Sequence, residues 1–505
     1  MAKERSSVAE ISVNSMPNSF NERRFVSKKE TIAYVLNDAS YSLNINDFKD
    51  RYIYDVVKIN FDFLAAQNII STVWDTINDT FIGVIVEKTR TRWGKFRPYL
   101  LLGEFPLTIL GMWYWLIPFI FPDTPDNHIP KLIMYFVMSI VTETAGTFTA
   151  IAKSGFLSTI TPSPMERSRL IALANVVTHI FEDIPKQVFG VIYDLVISKK
   201  INIKLPYLFS VFGMGCALFS ACLAVYFFWT SKERVAQTIS KPKVKHSIKS
   251  VINNKPMLIS LISSFLSGFS IGQSRTNFYI DVIGSITWKT IVGIPAFPVK
   301  FISYSFVKPL RKRFSTKALW IFEDFWTDML WMIVFGIGSI NNNFQKKHII
   351  LPLMGLEEIF EMCVYGLRRV IPAEISNEAM DYCEWKNGYR SEAMTGVTVS
   401  IISKLQQAVM GSINSLVMKK IGYVQGKEIG SQTDATKWWI FALGTGIPII
   451  SSSLGIIPKF FYPLSASKRT QMYTELYERR SLKAEMMQNA SAEEIAEIAG
   501  KEFKD

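Results

Sequence analysis

Long, mostly apolar runs constrain this chain more than any other feature of its sequence. The segment 205–230, LPYLFSVFGMGCALFSACLAVYFFWT, holds no charge at all. Comparable runs lie at 99–121, 130–152, 256–284, 289–309, 317–340, 347–372, 392–418 and 436–464. Weaker ones, broken by single polar residues, fall at 59–86 and 168–197, and a poor candidate near 31–56 brings the count to twelve. About 20 mostly apolar residues cross the hydrocarbon of a bilayer as a helix. One such run is compatible with a buried helix of a soluble protein, but ten are not. Composition agrees, since 49% of the 505 residues are apolar, only 20% are charged and the mean hydropathy is positive. The expected fold is all-α, a polytopic membrane protein of about twelve helices.

Lys and Arg in the short loops set the expected orientation. The segments 87–98 (EKTRTRWGKFRP), 231–255 (seven Lys or Arg) and 308–317 (KPLRKRFSTK) are strongly basic. They are alternate loops, which places both termini on the cytoplasmic side of the cell membrane. Loop 122–130, PDTPDNHIP, is acidic, whereas 198–204, SKKINIK, carries three Lys on the expected outer side and breaks the pattern. The net charge of +13 is read as a topology signal, because no nucleic-acid motif accompanies it. The long basic loop divides the chain into a polar segment 1–28, a six-helix half 29–230, a linker 231–255, a second six-helix half 256–464 and a charged, helical tail 465–505. The basic RTRWGKFRP and LRKRFSTK loops recur at similar places in the two halves, as an internal duplication requires. Residues 1–27 lack the apolar core of a cleavable signal peptide.

Catalytic apparatus is not visible. The four Cys (216, 222, 363, 383) make no CxxC, the four His (128, 179, 246, 348) make no ligand cluster, and neither a nucleophile elbow, a phosphate loop nor HExxH occurs. No enzyme and no cofactor are expected.

The informative residues are polar ones inside the spans, where an ionised side chain costs about 2.5–3.5 kcal/mol on the mildest scale. The second span reads Trp74-Asp75-Thr76-Ile77-Asn78-Asp79. Asp75 and Asp79 are one turn apart on one face. Two carboxylates so close in a poorly solvated place are relieved by a proton or by a cation between them. Their hard oxygens, with the amide carbonyl of Asn78, suit Na⁺, Li⁺ or H⁺. The alternative is a structural pair bridged to Lys or Arg elsewhere. Lys404 lies about halfway along the eleventh span, in VSIISKLQQAVM, where a counter-charge is needed. The Asp75/Asp79 pair is a natural partner, and snorkelling is the competing reading.

The stretch WDTINDTFIGVIVEKTRTRWGKFRPYLLLG resembles the signature of the glycoside–pentoside–hexuronide cation symporters, the melibiose permease family of the major facilitator superfamily. DYCEWKNGYRSEAMTGVTVSIISK at 381–404, IGYV at 421–424 and the weaker TITPSPMERSRL at 159–170 match in order, so the similarity covers 29–464. The resemblance implies a cation site of Asp75, Asn78, Asp79 and Thr147 with Lys404 beside it, and Asp38 as a sugar-binding carboxylate. It also implies a cytoplasmic lock of Arg167, Glu378, Asp381, Glu384 and Arg390, for which ordinary solvated loop charge is the bland alternative.

The departures from that family are as telling. Ala150 stands where the family has a second sugar carboxylate, Ser154 where it has a stacking aromatic, and Asn175 where it has an arginine, with Lys153 beside Ser154. The first span is unusually charged: Asp38, Asp47, Lys49, Asp50, Arg51 and Asp55, of which Asp55 matches a family position at the outer end. The cation half of the site is kept and much of the sugar half is not. The leading expectation is a cation-coupled symporter for a glycoside, uronide or similar polar solute. A carrier of lipid-like solutes in the same fold, and a non-transporting sensor with its tail as interaction module, are the alternatives. Which solute and which cation are not written in these residues.

The loop charges generate a direct expectation. Reporter fusions at 126 and 243 are expected to report opposite compartments, the second cytoplasmic; the same compartment for both overturns the span count.

Overall fold

The computed structural model describes residues 24–89, 91–124, 126, 128–161, 164–234, 253–387 and 392–489. Helices account for almost all of them, and the described residues contain no β-strand beyond one isolated bridge between Thr91 and Gly94. The chain divides into two compact units, one of residues 1–239 with 423–429, the other of 240–422 with 430–505.

In the first unit α1 (Lys28–Ser40) opens the first pass, which continues through short helical turns over 46–57. It is followed by α2 (Phe61–Lys88), α3 (Arg97–Ile120), α4 (His128–Ile160), α5 (Pro164–Ile197) and α6 (Leu205–Thr230). Caps are supplied where the sequence offers them. Ser27 accepts from the Glu30 amide, and Asn60 from the Phe63 amide at 2.7 Å. The start of α3 is capped from a distance: the Glu233 carboxylate accepts the amides of Lys95, Phe96 and Arg97 at 2.7–2.9 Å. An anion placed there satisfies donors that the helix cannot use and meets the positive end of its dipole. The core gathers Tyr34, Ile82, Phe96, Leu100, Ala152, Phe156, Leu170 and Phe227 from all six passes.

In the second unit the passes are more broken. They comprise α7 (Lys255–Gly268), α8 (Arg275–Phe278) with a wide turn over Tyr279–Ile283, α9 (Thr287–Gly293), α10 (Ala296–Arg313), α11 (Thr316–Ser339), α12 (Lys347–Cys363), α13 (Tyr365–Asn387), α14 (Glu392–Lys420), α15 (Asp434–Gly444) and α16 (Ile447–Lys459). Grouped across their breaks they again make six passes, so the fold is two six-helix bundles. Four runs that read as single spans are therefore interrupted. Run 256–284 breaks at 269–274, run 289–309 is bent by 40° between α9 and α10, run 347–372 breaks at Val364, and run 436–464 breaks at Thr445-Gly446. A Gly or Pro lies in or near each break. Among the described residues only Arg97–Ile120, His128–Leu157, Leu205–Thr230 and Asp434–Lys459 are long and apolar enough to cross a membrane individually, and the bent α9–α10 pair qualifies jointly. The other passes carry charges that a hydropathy count penalises.

The duplication is visible in one local device. The first pass ends in a wide helical turn, Tyr52–Val57 (YIYDVV), closed by Lys58 at φ 58°; the seventh ends in Tyr279–Ile283 (YIDVI), closed by Gly284 at φ 81°. Asp55 and Asp281 occupy matching positions in the two turns. Asp55 is held by buried Arg51 at 3.4 Å, while Arg51 also donates to the Tyr423 hydroxyl at 2.8 Å. Segment 423–429 belongs to the first unit through that bond, the Tyr423 ring against Tyr54 and Phe61, and Gln425 donating to the Ile59 carbonyl at 2.6 Å. Gly426 is needed here, because its φ is +67° and a Cβ would stand 2.7 Å from Lys58 Cε.

The tail is docked. Helix α17 (Ala466–Asn489) buries Met472 and Leu476 in the core of the second unit with Leu319, Trp320, Ile371 and Tyr382. Trp385 donates to Glu475 at 2.6 Å, which holds that carboxyl below the usual range. Removing a buried Leu or Met side chain costs about 2–5 kcal/mol. The double substitution Met472→Asp, Leu476→Asp is therefore expected to release the helix, making trypsin cleavage of the solubilised protein after Arg469 and Arg479 faster than in the wild type. Equal cleavage rates would show that the apolar face does not hold it.

Candidate functional site

Asp75 and Asp79 lie on α2, both half-buried, and are brought together with α4. The agent is Thr147, buried on α4, whose hydroxyl lies 3.3 Å from Asp75 Oδ1 and 3.1 Å from Asp79 Oδ1, and also 3.2 Å from its own-helix Glu143 carbonyl. One hydroxyl carries one proton, so it donates to one of these acceptors at a time. Around it, Asn78 donates to Thr144 Oγ1 at 3.4 Å and Trp74 Nε1 donates to the same oxygen at 3.3 Å. The neighbouring turns of α2 and α4 thus interlock through short polar side chains, which two helices need to approach closely in a bilayer. Two carboxylates, a hydroxyl and an amide form an oxygen-rich group of the kind hard monovalent cations favour. Asp75, Asn78, Asp79 and Thr147, named from different parts of the sequence, lie together in one polar cluster.

Of the residues expected from resemblance to meet the solute, Asp38 is held in an ion pair. Asp38 on α1 faces Lys153 on α4 at 2.9 Å, and the Lys153 ammonium also stands 4.6 Å from the centre of the Tyr41 ring. Asn37 donates to the Tyr41 hydroxyl at 3.1 Å. Ala150 and Asn175 are exposed; Ser154 lies on α4, its side chain outside the described residues. Part of the charge on the first span is paired: Asp47 meets Lys186 of α5 at 3.2 Å, and Arg51 meets Asp55 within the span itself.

Of the residues expected in a lock, Glu378, Asp381 and Glu384 lie on α13. Glu378 on α13 is buried within the second unit, bound by Arg469 of α17 at 2.5 Å and by the Tyr462 hydroxyl at 3.1 Å. Burial pushes its carboxyl up, against the pull of Arg469. Asp381 and Glu384 follow on the same helix. Arg390, and the side chain of Arg167, lie outside the described residues. Lys404 is half-buried on α14 of the second unit.

Reading the sequence singled out Lys404 as the deep charge of the second half, and that was incomplete. Buried Glu323 and Asp328 on α11, Glu357 and Glu361 on α12 and Lys459 on α16 are there too. Asp324 pairs with Lys459 at 2.5 Å, and Ser453 donates to Asp328 at 3.1 Å. In the first unit, buried Glu104 on α3 accepts from Ser220 at 2.9 Å. The signal lies in the sequence, since acids recur three or four apart inside runs 317–340 and 347–372, where the length of the apolar run hides them.

Residues 33–466 match the family described as MFS/sugar transport protein. An uncharacterized symporter of Bacillus subtilis is 23% identical over 477 residues, covering 90% of this chain and 96% of its own. The isoprimeverose transporter of Lactiplantibacillus pentosus is 22% identical (88% and 91% covered), and a glucuronide carrier protein homolog of Escherichia coli 21% (86% and 92%). Among solved structures, the nucleoside transporter NupG superimposes with a TM-score of 0.51 at 11% identity, covering 88% of this chain and 98% of that one. A D-xylose-proton symporter gives 0.52 at 12% identity, covering 86% and 95%. At such identities the two structures speak for the fold alone.

Proposed function

The chain belongs to the MFS/sugar transport family, and from that premise we propose that it couples the entry of a polar sugar-like solute to a cation held by Asp75, Asp79, Asn78 and Thr147. A membrane carrier of the sugar and glycoside class is what its family and relatives are. The observation that carries the coupling proposal is the Thr147 hydroxyl within 3.3 Å of both carboxylates. That hydroxyl draws the two acids toward one point between α2 and α4. A Na⁺, Li⁺ or H⁺ arriving there relieves their repulsion and uses the hydroxyl as a further oxygen ligand. Lys404 is assigned the role of counter-charge that replaces the cation when it leaves, as the family resemblance implies.

Lys153 narrows the solute. The family's sugar positions are altered to Ala150, Ser154 and Asn175, and a lysine has been added that pairs with Asp38. An ammonium at a solute-facing position favours a solute with a carboxylate or other anion, which exchanges with Asp38 as its partner. The relatives include a glucuronide carrier protein homolog and a putative sulfoquinovose importer.

These assignments are tested by uptake of p-nitrophenyl glucuronide and p-nitrophenyl glucoside into proteoliposomes under imposed Na⁺, Li⁺ or proton gradients. Asp75→Asn and Asp79→Asn are expected to abolish cation stimulation in a fully inserted protein. Thr147→Val is expected to weaken cation affinity about 10–100-fold, because a hydrogen bond to a charged group contributes roughly 1.5–3 kcal/mol. Full stimulation in Asp75→Asn would make the pair structural.

For Lys404, replacement by Ala is expected to cripple accumulation and to change cation affinity. Arg at this position is expected to work poorly too, since the guanidinium is planar and stays protonated. Wild-type accumulation in Lys404→Ala would reduce the residue to a packed, snorkelling lysine.

A further inference from the structure

Helix α12 places Glu357, Glu358 and Glu361 inside the second unit, with one carboxylate oxygen from each lying within 4.8 Å of the others. Glu357 is ten residues into the helix, about 15 Å along its axis at 1.5 Å per residue. That is half the thickness of a hydrocarbon core of about 30 Å, so the cluster lies near mid-membrane.

Acids this deep need positive partners, and the cluster has some. Arg368 of α13 donates to Glu361 Oε1 at 2.6 Å and to Thr327 at 2.7 Å. Arg275 of α8 stands 3.9 Å from Glu361 Oε2 and lies over the Trp331 ring at 3.7 Å. Lys289 of α9 faces Glu358, where it also bonds Thr276 at 3.1 Å. Tyr279 closes the seventh pass on the same side, and Glu323 of α11 shares the field of Arg368. On α10, Lys300 and Tyr304 are turned to the ring of Tyr365. Glu357 feels Arg275 only through space and receives no hydrogen bond from these cations. Its side chain is 3% exposed, and among the described residues no donor reaches either of its oxygens.

A bare carboxylate at mid-membrane, one turn from a second carboxylate already held by arginine, is not a stable ionic state. A protonated Glu357 is: its O–H donates to Glu361, and the negative charge that remains stays with the two guanidiniums. We propose that Glu357 is a proton-binding site of the second unit, sharing its proton with Glu361. The site is separate from the Asp75/Asp79 group in the first unit. It makes the carrier proton-sensitive whichever cation drives transport, and it does not depend on the coupling assignment above.

Dicyclohexylcarbodiimide tests this without knowledge of the solute. It reacts with carboxyl groups that are protonated in apolar surroundings, and its N-acylurea adduct is located by peptide mass spectrometry. In the purified full chain in liposomes, Glu357 is expected to be labelled at neutral pH and spared at high pH. Above the midpoint the protonated form falls about tenfold per pH unit. Labelling is expected to be equal in sodium, lithium and choline chloride, to persist in Asp75→Asn, and to vanish in Glu357→Gln, whose amide imitates the protonated acid and keeps the fold. Absence of label at every pH would overturn the proposal. So would its suppression by sodium or lithium at constant pH, which would identify a metal cation as occupant. Loss of cation-stimulated uptake in Asp75→Asn alongside unchanged Glu357 labelling separates the two sites.

Discussion

Water cannot neutralise a charge in the middle of a bilayer, and the rest of this structure follows from where the protein finds partners for its charges instead. Backbone groups are satisfied within helices, as hydrocarbon demands. Side chains are satisfied across them: Asp38 by Lys153, Asp47 by Lys186, Asp324 by Lys459 and Glu361 by Arg368. The first three of these pairs each join two different passes within one unit, so those charges also fix which helices are neighbours, while Glu361 and Arg368 pair across the break between α12 and α13. Desolvation makes a buried pair weak support for stability. Retaining so many is better explained by function, because a pair that can exchange partners gives a pathway for ions and polar solutes.

The two units solve the problem unequally. In the first, the like charges Asp75 and Asp79 share the hydroxyl of Thr147. The second, among the described residues, buries more acid, much of it on α11 and α12, and ties Asp324 to Lys459 and Glu361 to Arg275 and Arg368. Its tail helix extends the same habit outside the spans, where Arg469 holds Glu378 and Trp385 holds Glu475. Glu378, expected from resemblance to serve in a lock, is engaged by a helix whose docking no motif announced.

Hydrophobic length and basic loops made the helical membrane fold legible, because both are one-dimensional quantities. The polar cluster on α2 was legible because Asp75, Asn78 and Asp79 share one short segment whose spacing sets their common face, whereas Thr147 came only through resemblance. What stayed hidden depends on contacts between distant passes. Lys153 could be seen as an odd residue but not as the partner of Asp38, and Arg51 could not be joined to Tyr423 across 372 residues. The breaks at 269–274 and Thr445-Gly446 were masked by apolar neighbours, since hydropathy averages over the Gly and Pro that interrupt a helix. Glu357 and Glu361 were passed over for a similar reason.

The central claim is that Asp75 and Asp79 together bind one exchangeable cation. Infrared difference spectroscopy of the reconstituted protein, recorded while the bathing solution is switched among sodium, lithium, choline and different pH values, reads the carboxylates directly. The account predicts a carboxylate band that shifts with sodium, lithium or protons and is absent from both Asp75→Asn and Asp79→Asn. A spectrum in which no cation-sensitive band is lost in either variant would contradict it.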